Sequence, residues 1–404
     1  MHLQVGFAKF KFNLMKKIVL SAVLITSLLS SCNNNKTENN GPQTFHIDLN
    51  AANDEADKLC KRMEMRLLPL ESNAHSIFND ESAKMHVKGN TMIVEDPSQN
   101  GHIFVFDNQG NFIRHWNRLG QGNEEYTWNY SMATTDDRIY IQDHIKIQVY
   151  DYEGNYIQSI PNQEDRGTQI EVVGDKIYVR EGYMKENQLH VIDESGTVLS
   201  EHLPSREVIR NFMIPLTNYY TTGNYDGGVY ISNPLDFNIY LMKDTIQTLA
   251  KLDFGTMHLP ADFFDGDTQT VERKMHEVRA YKGEMDTRHI IFISNLVVTD
   301  DWLTFTPETF DARVVFCDRK TSETVTNRNF KFPYSVFFKR YNAPLGFNEQ
   351  TQEFYQLVNA MDVKEVVEEA QANGDMDKYP FLKGVDVNNI NEDTNAFALF
   401  FKIK

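Results

Sequence analysis

The stretch Ile103-Phe-Val-Phe-Asp107-Asn-Gln-Gly110-Asn-Phe-Ile113 decides the fold, because the chain repeats it. Ile147-Gln-Val-Tyr-Asp151-Tyr-Glu-Gly154-Asn-Tyr-Ile157 superposes on it without a gap, and so does Leu189-His-Val-Ile-Asp193-Glu-Ser-Gly196-Thr-Val-Leu199. The aspartates stand 44 and 42 residues apart. In each copy apolar residues flank an Asp-x-x-Gly turn. The aspartate can accept bonds from turn amides, and the glycine supplies the positive φ that closes a hairpin. Each copy reads as strand, tight turn, strand.

Another strand precedes each copy: Thr91-Met-Ile-Val-Glu95, Arg138-Ile-Tyr-Ile-Gln142 and Lys176-Ile-Tyr-Val-Arg180. A unit of about 42 residues with three or four strands has the period of a β-propeller blade. Period-2 alternation and β-branched content exclude a solenoid of helix pairs. Weaker copies follow. Residues 237–242 and 245–252 fit a fourth blade that has lost its glycine. Residues 301–306, 312–318 and 324–330 fit a fifth. Residues 333–338, 353–358 and 397–403 fit a sixth that lacks an outer strand. Residues 64–70 lie before the first blade without a partner, and pairing them with the C-terminal strand removes both open edges. The expected fold is all-β: a six-bladed β-propeller over residues 45–404 with small helical insertions.

Two segments carry helical spacing. One is residues 268–281, with Val271, Met275 and Val278. The other is residues 362–373, with Val363, Val366, Val367 and Ala370 on one face. Asp362 is the expected N-cap of the second, Glu365 its capping-box partner, and Gly374 stands just past its end.

The N-terminus reads as an export signal. Lys16 and Lys17 precede an apolar run at residues 18–29, too short to span a bilayer, followed by Leu29-Ser30-Ser31-Cys32. Small residues ending in Cys resemble the bacterial lipobox, in which the thiol of Cys32 would take a diacylglycerol and become the new N-terminus. Residues 1–31 are thus an expected lipoprotein signal peptide. Residues 32–44, polar and rich in asparagine, are an expected flexible tether. No acidic run follows Cys32, which favours the periplasmic side of the outer membrane over the cell surface.

Composition fits this picture. The 404 residues are 41% hydrophobic and 24% charged, ordinary for a globular chain. Net charge is −17, and removing the leader with its four lysines makes it −21. That charge argues against nucleic acid and against docking on anionic lipid heads, so the lipid itself is the expected membrane partner. Cys60 and Cys317 remain after lipidation. They are either a disulfide or two buried thiols.

The lipobox, the Asp-x-x-Gly units, Gly120-Gln-Gly122-Asn-Glu-Glu125-Tyr126 and the ending Asn391-Glu-Asp-Thr-Asn395 together resemble one family. It is the six-bladed β-propeller lipoproteins of Gram-negative gut-type bacteria, with NHL-like blades. The family pattern Gly-x-Gly-Pro-Gly-Glu-Tyr is altered here at Asn123 and Glu124, and its Asn-Pro before the last strand is Asn395-Ala396. The resemblance implies the fold and an envelope location. It implies no activity.

Catalytic and metal motifs are absent from the sequence. No His-x-His, His-x-x-x-His or Cys-x-x-Cys occurs among the 12 histidines and three cysteines. Asp262, Asp265, Asp267 and Glu272 lack EF-hand spacing, and Asp267 or Thr268 reads as a helix cap. No nucleophile elbow, Walker loop or dinucleotide fingerprint appears. Neither a cofactor nor a metal is expected, and no catalytic residue is assigned. The loop at 120–126 reads as a crossover between blades. Aromatic and acidic residues in predicted loops are the pointer to a ligand face: Trp116, Glu125, Tyr126, Trp128, Tyr130, Tyr219, Tyr220 and Tyr225. The leading expectation is a non-enzymatic envelope lipoprotein that binds a glycan, a peptide or a partner protein. The alternative is a lactonase- or lyase-type propeller enzyme working in its central channel.

Overall fold

The computed structural model describes residues 41–50, 55–97, 101–162, 169–182, 184–212, 221–279, 289–308, 313–339 and 346–404. Two strands precede the first repeat: β1 (Gln43–His46) and β2 (Met63–Pro69). Blade one is β3 (Lys84–Lys88), β4 (Thr91–Asp96), β5 (His102–Asp107) and β6 (Phe112–Trp116). Blade two is β7 (Ser131–Thr134), β8 (Arg138–Gln142), β9 (Lys146–Asp151) and β10 (Tyr156–Pro161). Blade three is β11 (Gln169–Val173), β12 (Lys176–Arg180), β13 (Asn187–Asp193) and β14 (Val198–Pro204). Blade four is β15 (Thr222–Tyr225), β16 (Gly228–Asn233), β17 (Asp236–Met242) and β18 (Ile246–Asp253). Blade five is β19 (Ile293–Val298), β20 (Trp302–Pro307), β21 (Val315–Asp318) and β22 (Thr324–Thr326). Blade six is β23 (Gly346–Asn348), β24 (Glu353–Val358) and β25 (Phe397–Ile403), completed by β2. Every blade is an antiparallel meander.

The ring closes as the sequence implies. β2 pairs antiparallel with β25 from Met63↔Ile403 to Pro69↔Phe397. The sixth blade differs from expectation in its innermost strand, which is β23 and not residues 333–338. Phe337 and Phe338 are consecutive and both fully buried. A strand would send one of them to solvent; the short helix Tyr334–Phe337 ending at Phe338 buries both. A second difference lies at the N-terminus, where β1 begins at Gln43, inside the expected tether, and adds a fifth, parallel strand to β18.

The repeated turns explain how blades stack. Asp107 Oδ1 accepts from the amides of Gln109 and Asn111 at 2.8 and 2.9 Å. Gly110, Gly154 and Gly196 sit at φ +83°, +82° and +82°. Each glycine also abuts the outer strand of the preceding blade. A Cβ would meet the Pro69 carbonyl oxygen at 2.2 Å, the Trp116 ring at 2.6 Å and the Pro161 carbonyl oxygen at 2.3 Å respectively. The same residue thus serves hairpin and packing.

Helices pack against the blades. Glu55–Arg62 buries Ala56, Leu59 and Cys60 beside blades five and six. Thr268–Arg279 buries Val271 and Met275, and Asp267 Oδ1 accepts from the Thr270 amide at 2.8 Å as its cap. Ala360–Ala372 buries Val363, Val366, Val367 and Ala370 as expected. Its cap is Asn359, whose Oδ1 accepts from Met361 N at 2.8 Å. Asp362, already inside the first turn, pairs instead with Lys339 at 3.0 Å. Gly374 follows with φ +70°. Cys60 and Cys317 are both buried and free.

Candidate functional site: the axial cavity

The first strand of each blade faces the axis, and these strands run side by side. The Ile170 amide donates to Ser131 Oγ at 3.1 Å near the start of β7 and β11. Thr222 Oγ1 donates to Glu171 at 3.3 Å, and Asn224 Nδ2 to the Val172 carbonyl at 3.2 Å, between β11 and β15. They enclose a cavity of about 1050 Å³ whose wall draws on all six. That is the scale of a small-molecule site.

Strand alternation decides what the wall presents. In β3, Met85 and Val87 enter the core while Lys84, His86 and Lys88 line the cavity. In β11, Ile170 and Val172 pack between blades, and Gln169 and Glu171 line the cavity. Blades four and six use a different device. Gly223 pairs with Tyr230, and Gly346 with Tyr355. A Cβ on either glycine would meet the phenol hydroxyl of its partner at 2.2 Å. The two rings therefore cross over the innermost strand to reach the wall. Tyr230 donates to the Leu296 carbonyl of the next blade at 2.9 Å.

The charges in this wall are unevenly matched. Lys84 and Glu95 form an ion pair at 2.9 Å, and Asn129 Nδ2 donates to Glu95 at 3.0 Å. Burial alone would raise Glu95, but Lys84, His86 and Asn129 outweigh it and hold the carboxyl below its usual range. Burial pushes His86 down to about 4 against the pull of Glu95, so its ring is neutral at pH 7. Its Nε2 has no hydrogen-bond partner among the described residues. Burial pushes Glu171 up to about 7, opposed by the charge of Lys88 and the Thr222 bond. Tyr355 is raised to about 12, chiefly by burial. Among the described residues, no three His, Cys, Asp or Glu side chains stand close enough to hold a metal.

The residues flagged from sequence are dispersed. Trp116 and Tyr126 are buried between blades one and two. Tyr126 donates to the Gly101 carbonyl at 2.7 Å. Glu125 accepts from the Gly122 amide at 2.8 Å, while Lys146 and Gln148 of blade two bind its carbonyl. The 120–126 loop is a blade-to-blade tie: the Trp116 and Tyr126 rings pack between blades, and the Glu125 carboxylate closes the loop on its own Gly122 amide. Trp128 and Tyr130 do come together: their rings are 6.0 Å apart, and Tyr130 meets His144 edge-on at 5.2 Å. Tyr130 and Met184 (62% exposed) border the cavity at one mouth, while Trp128 (58%) and Ile145 (67%) are exposed outside its lining. Tyr225 lies at the opposite mouth, where it donates to Asp300 and accepts from Arg319. Tyr219, Tyr220 and Cys32 lie outside the described residues.

Residues 44–402 match the DUF4934 profile, a domain of unknown function. The chain belongs to the DUF4934 family. This DUF4934 propeller superposes on a crystal structure of a Bacteroides fragilis protein described as exported, with TM-score 0.63 and 15% identity, covering 90% of this chain and 99% of that one. A member of the DUF4221 family from Bacteroides vulgatus matches with TM-score 0.45 and 9% identity, over 84% and 97% of the two chains. The extracellular domain of a one-component system from B. thetaiotaomicron matches at TM-score 0.35 and 11% identity, over 66% and 29%. No curated protein matches the chain. The first of these shows the fold. Within this DUF4934 chain, Lys88, Glu171, Tyr230 and Tyr355 were not singled out from sequence. The available signal was the polar-apolar alternation of Lys84-Met-His-Val-Lys88 and Gln169-Ile-Glu-Val-Val173 in front of recognised blade strands.

Proposed function

We propose that this protein is a lipid-anchored envelope propeller that binds a ligand in its axial cavity without transforming it. The observation that carries this reading is the cavity wall itself. It is about 1050 Å³ in size, bordered by all six innermost strands, and mixes aromatic rings with accessible polar side chains. Satisfied core does not leave such groups facing open space. The exposed Trp128–Tyr130 shelf beside one mouth supports ligand entry there. The lipobox ending at Cys32 supports attachment to the outer membrane, on the periplasmic side or the surface. The exported description of the B. fragilis neighbour is consistent with it.

The test is a thermal-shift screen with defined glycan and peptide libraries against the wild type and Asn224→Trp, whose larger side chain narrows the cavity beside Glu171. Hits stabilising only the wild type support the reading, and hits equal in both oppose it. A second reading, a lactonase- or lyase-type enzyme, is favoured by one observation: Glu171 sits in the cavity with its proton held near neutrality, as a general base would. Recovery of a chemically altered ligand after incubation would select it.

A further inference from the structure

We infer that the cavity ligand is a zwitterion, an amino acid or short peptide with free termini, whose ammonium meets Glu171 and whose carboxylate meets Lys88. This rests on the binding reading above. Both side chains line the same cavity, one from blade three and one from blade one. Among the described residues the Glu171 carboxylate has a single hydrogen bond, from Thr222 Oγ1 at 3.3 Å. Among the described residues no cation stands within 4.0 Å of it. Lys88 likewise has neither an ion-pair partner nor a hydrogen-bond acceptor among them. Yet Lys88 is near enough for its charge to act on Glu171 and on His86.

The contrast with Lys84 and Glu95 is informative. In the same wall those two close on each other at 2.9 Å, and Asn129 takes up the second carboxylate oxygen. The wall thus neutralises Lys84 and Glu95 against each other and leaves Glu171 and Lys88 apart. Both side chains are half-buried and face cavity space, where a charge drawn out of bulk water gains from a partner. A cationic ligand would satisfy Glu171 and leave Lys88 alone, and an anionic ligand would do the reverse. A neutral sugar would leave both without a counter-charge. A ligand bearing ammonium and carboxylate serves both at once and adds no net charge to the cavity. Tyr230 and Tyr355 are both close enough to feel the Glu171 charge. They give the ammonium aromatic surroundings, and Phe347, Leu296 and Val298 offer apolar surface to a side chain.

The experiment is calorimetric titration at pH 7 with a dipeptide library, followed by the N-acetyl and C-amide forms of the tightest member, with cellobiose as the neutral probe. Acetylation should weaken binding to the wild type about tenfold or more, the worth of a charge-assisted contact. It should cost Glu171→Gln nothing further. Amidation should behave in the same way with Lys88→Met. Dipeptides that bind equally well with both termini blocked, or that do not bind, overturn the inference. Cellobiose binding that is lost in Asn224→Trp but kept in Glu171→Gln and Lys88→Met overturns the zwitterion while sparing the cavity. Dipeptide binding unaffected by Asn224→Trp overturns both. The blocked ligands test the wild type directly, so a poorly folding variant does not shield the claim.

Discussion

Deleting residues 397–404 should abolish cooperative folding. The last strand is central to its blade: β25 lies between β24 and β2, with Phe397, Leu399, Phe400 and Phe401 all buried. At about 1.5–3 kcal/mol each, these four side chains represent about 6–12 kcal/mol of burial. A typical domain is stable by only about 5–15 kcal/mol. The deletion also strips hydrogen-bond partners from two strands and reopens the ring. A graded version is Phe401→Ala. Its ring stacks on Phe354 at 5.1 Å and meets Phe338 edge-on at 5.2 Å. A cost of about 3–5 kcal/mol is expected. Urea unfolding followed by far-ultraviolet circular dichroism measures both variants. A truncated protein that unfolds in one transition near the wild-type midpoint would refute closure through β2 and β25.

Other expectations follow from single contacts. Gly196→Ala should cost about 2–4 kcal/mol, since it combines a left-handed φ of +82° with a Cβ 2.3 Å from the Pro161 carbonyl oxygen. Gly174→Ala, at φ +62° with open space around it, should cost only about 1–2 kcal/mol, and equal melting shifts would contradict the blade-stacking argument. Glu171 has its folded pKa raised from 4.5 to about 7. The native state keeps that proton where the unfolded chain has lost it, so the stability contributed falls as pH rises from about 4.5 to 7. The change is at most on the order of 3 kcal/mol, less whatever cavity water screens. Glu171→Gln should therefore gain on the wild type across that window, and parallel stability profiles would refute the assignment. Cys32→Ala should release the protein from the membrane fraction and abolish labelling by a palmitate analogue; retention in the membrane would count against the lipid anchor.

Sequence carried the architecture further than the site. The Asp-x-x-Gly units exposed blades one to three because turn chemistry is local: Asp107 and Gly110 act within four residues of each other. Closure was legible because residues 64–70 and 397–403 had no other partners. The innermost strand of blade six was not, because Gly346-Phe-Asn348 is short and carries one apolar residue. Residues 333–338 looked more strand-like, but the adjacent Phe337 and Phe338 both needed burial, and a helix turn provides it. The aromatic pointers split for a similar reason. Tyr126 and Trp128 stand two residues apart, yet one is sealed between blades and the other is exposed. Which of them turns inward depends on how the loop docks against blade two, through Lys146, Gln148 and Tyr150. The Gly223–Tyr230 and Gly346–Tyr355 pairs are visible only once strand register is known.

The axial cavity is the proposed meeting place of this protein and its ligand. The most direct measurement is a crystal structure of the protein with the tightest member of the peptide or glycan screen. That compound is expected inside the ring, in contact with the innermost strands and within hydrogen-bond reach of Glu171. A ligand seated on the Trp128 shelf or the outer rim, with only water along the axis, would contradict it.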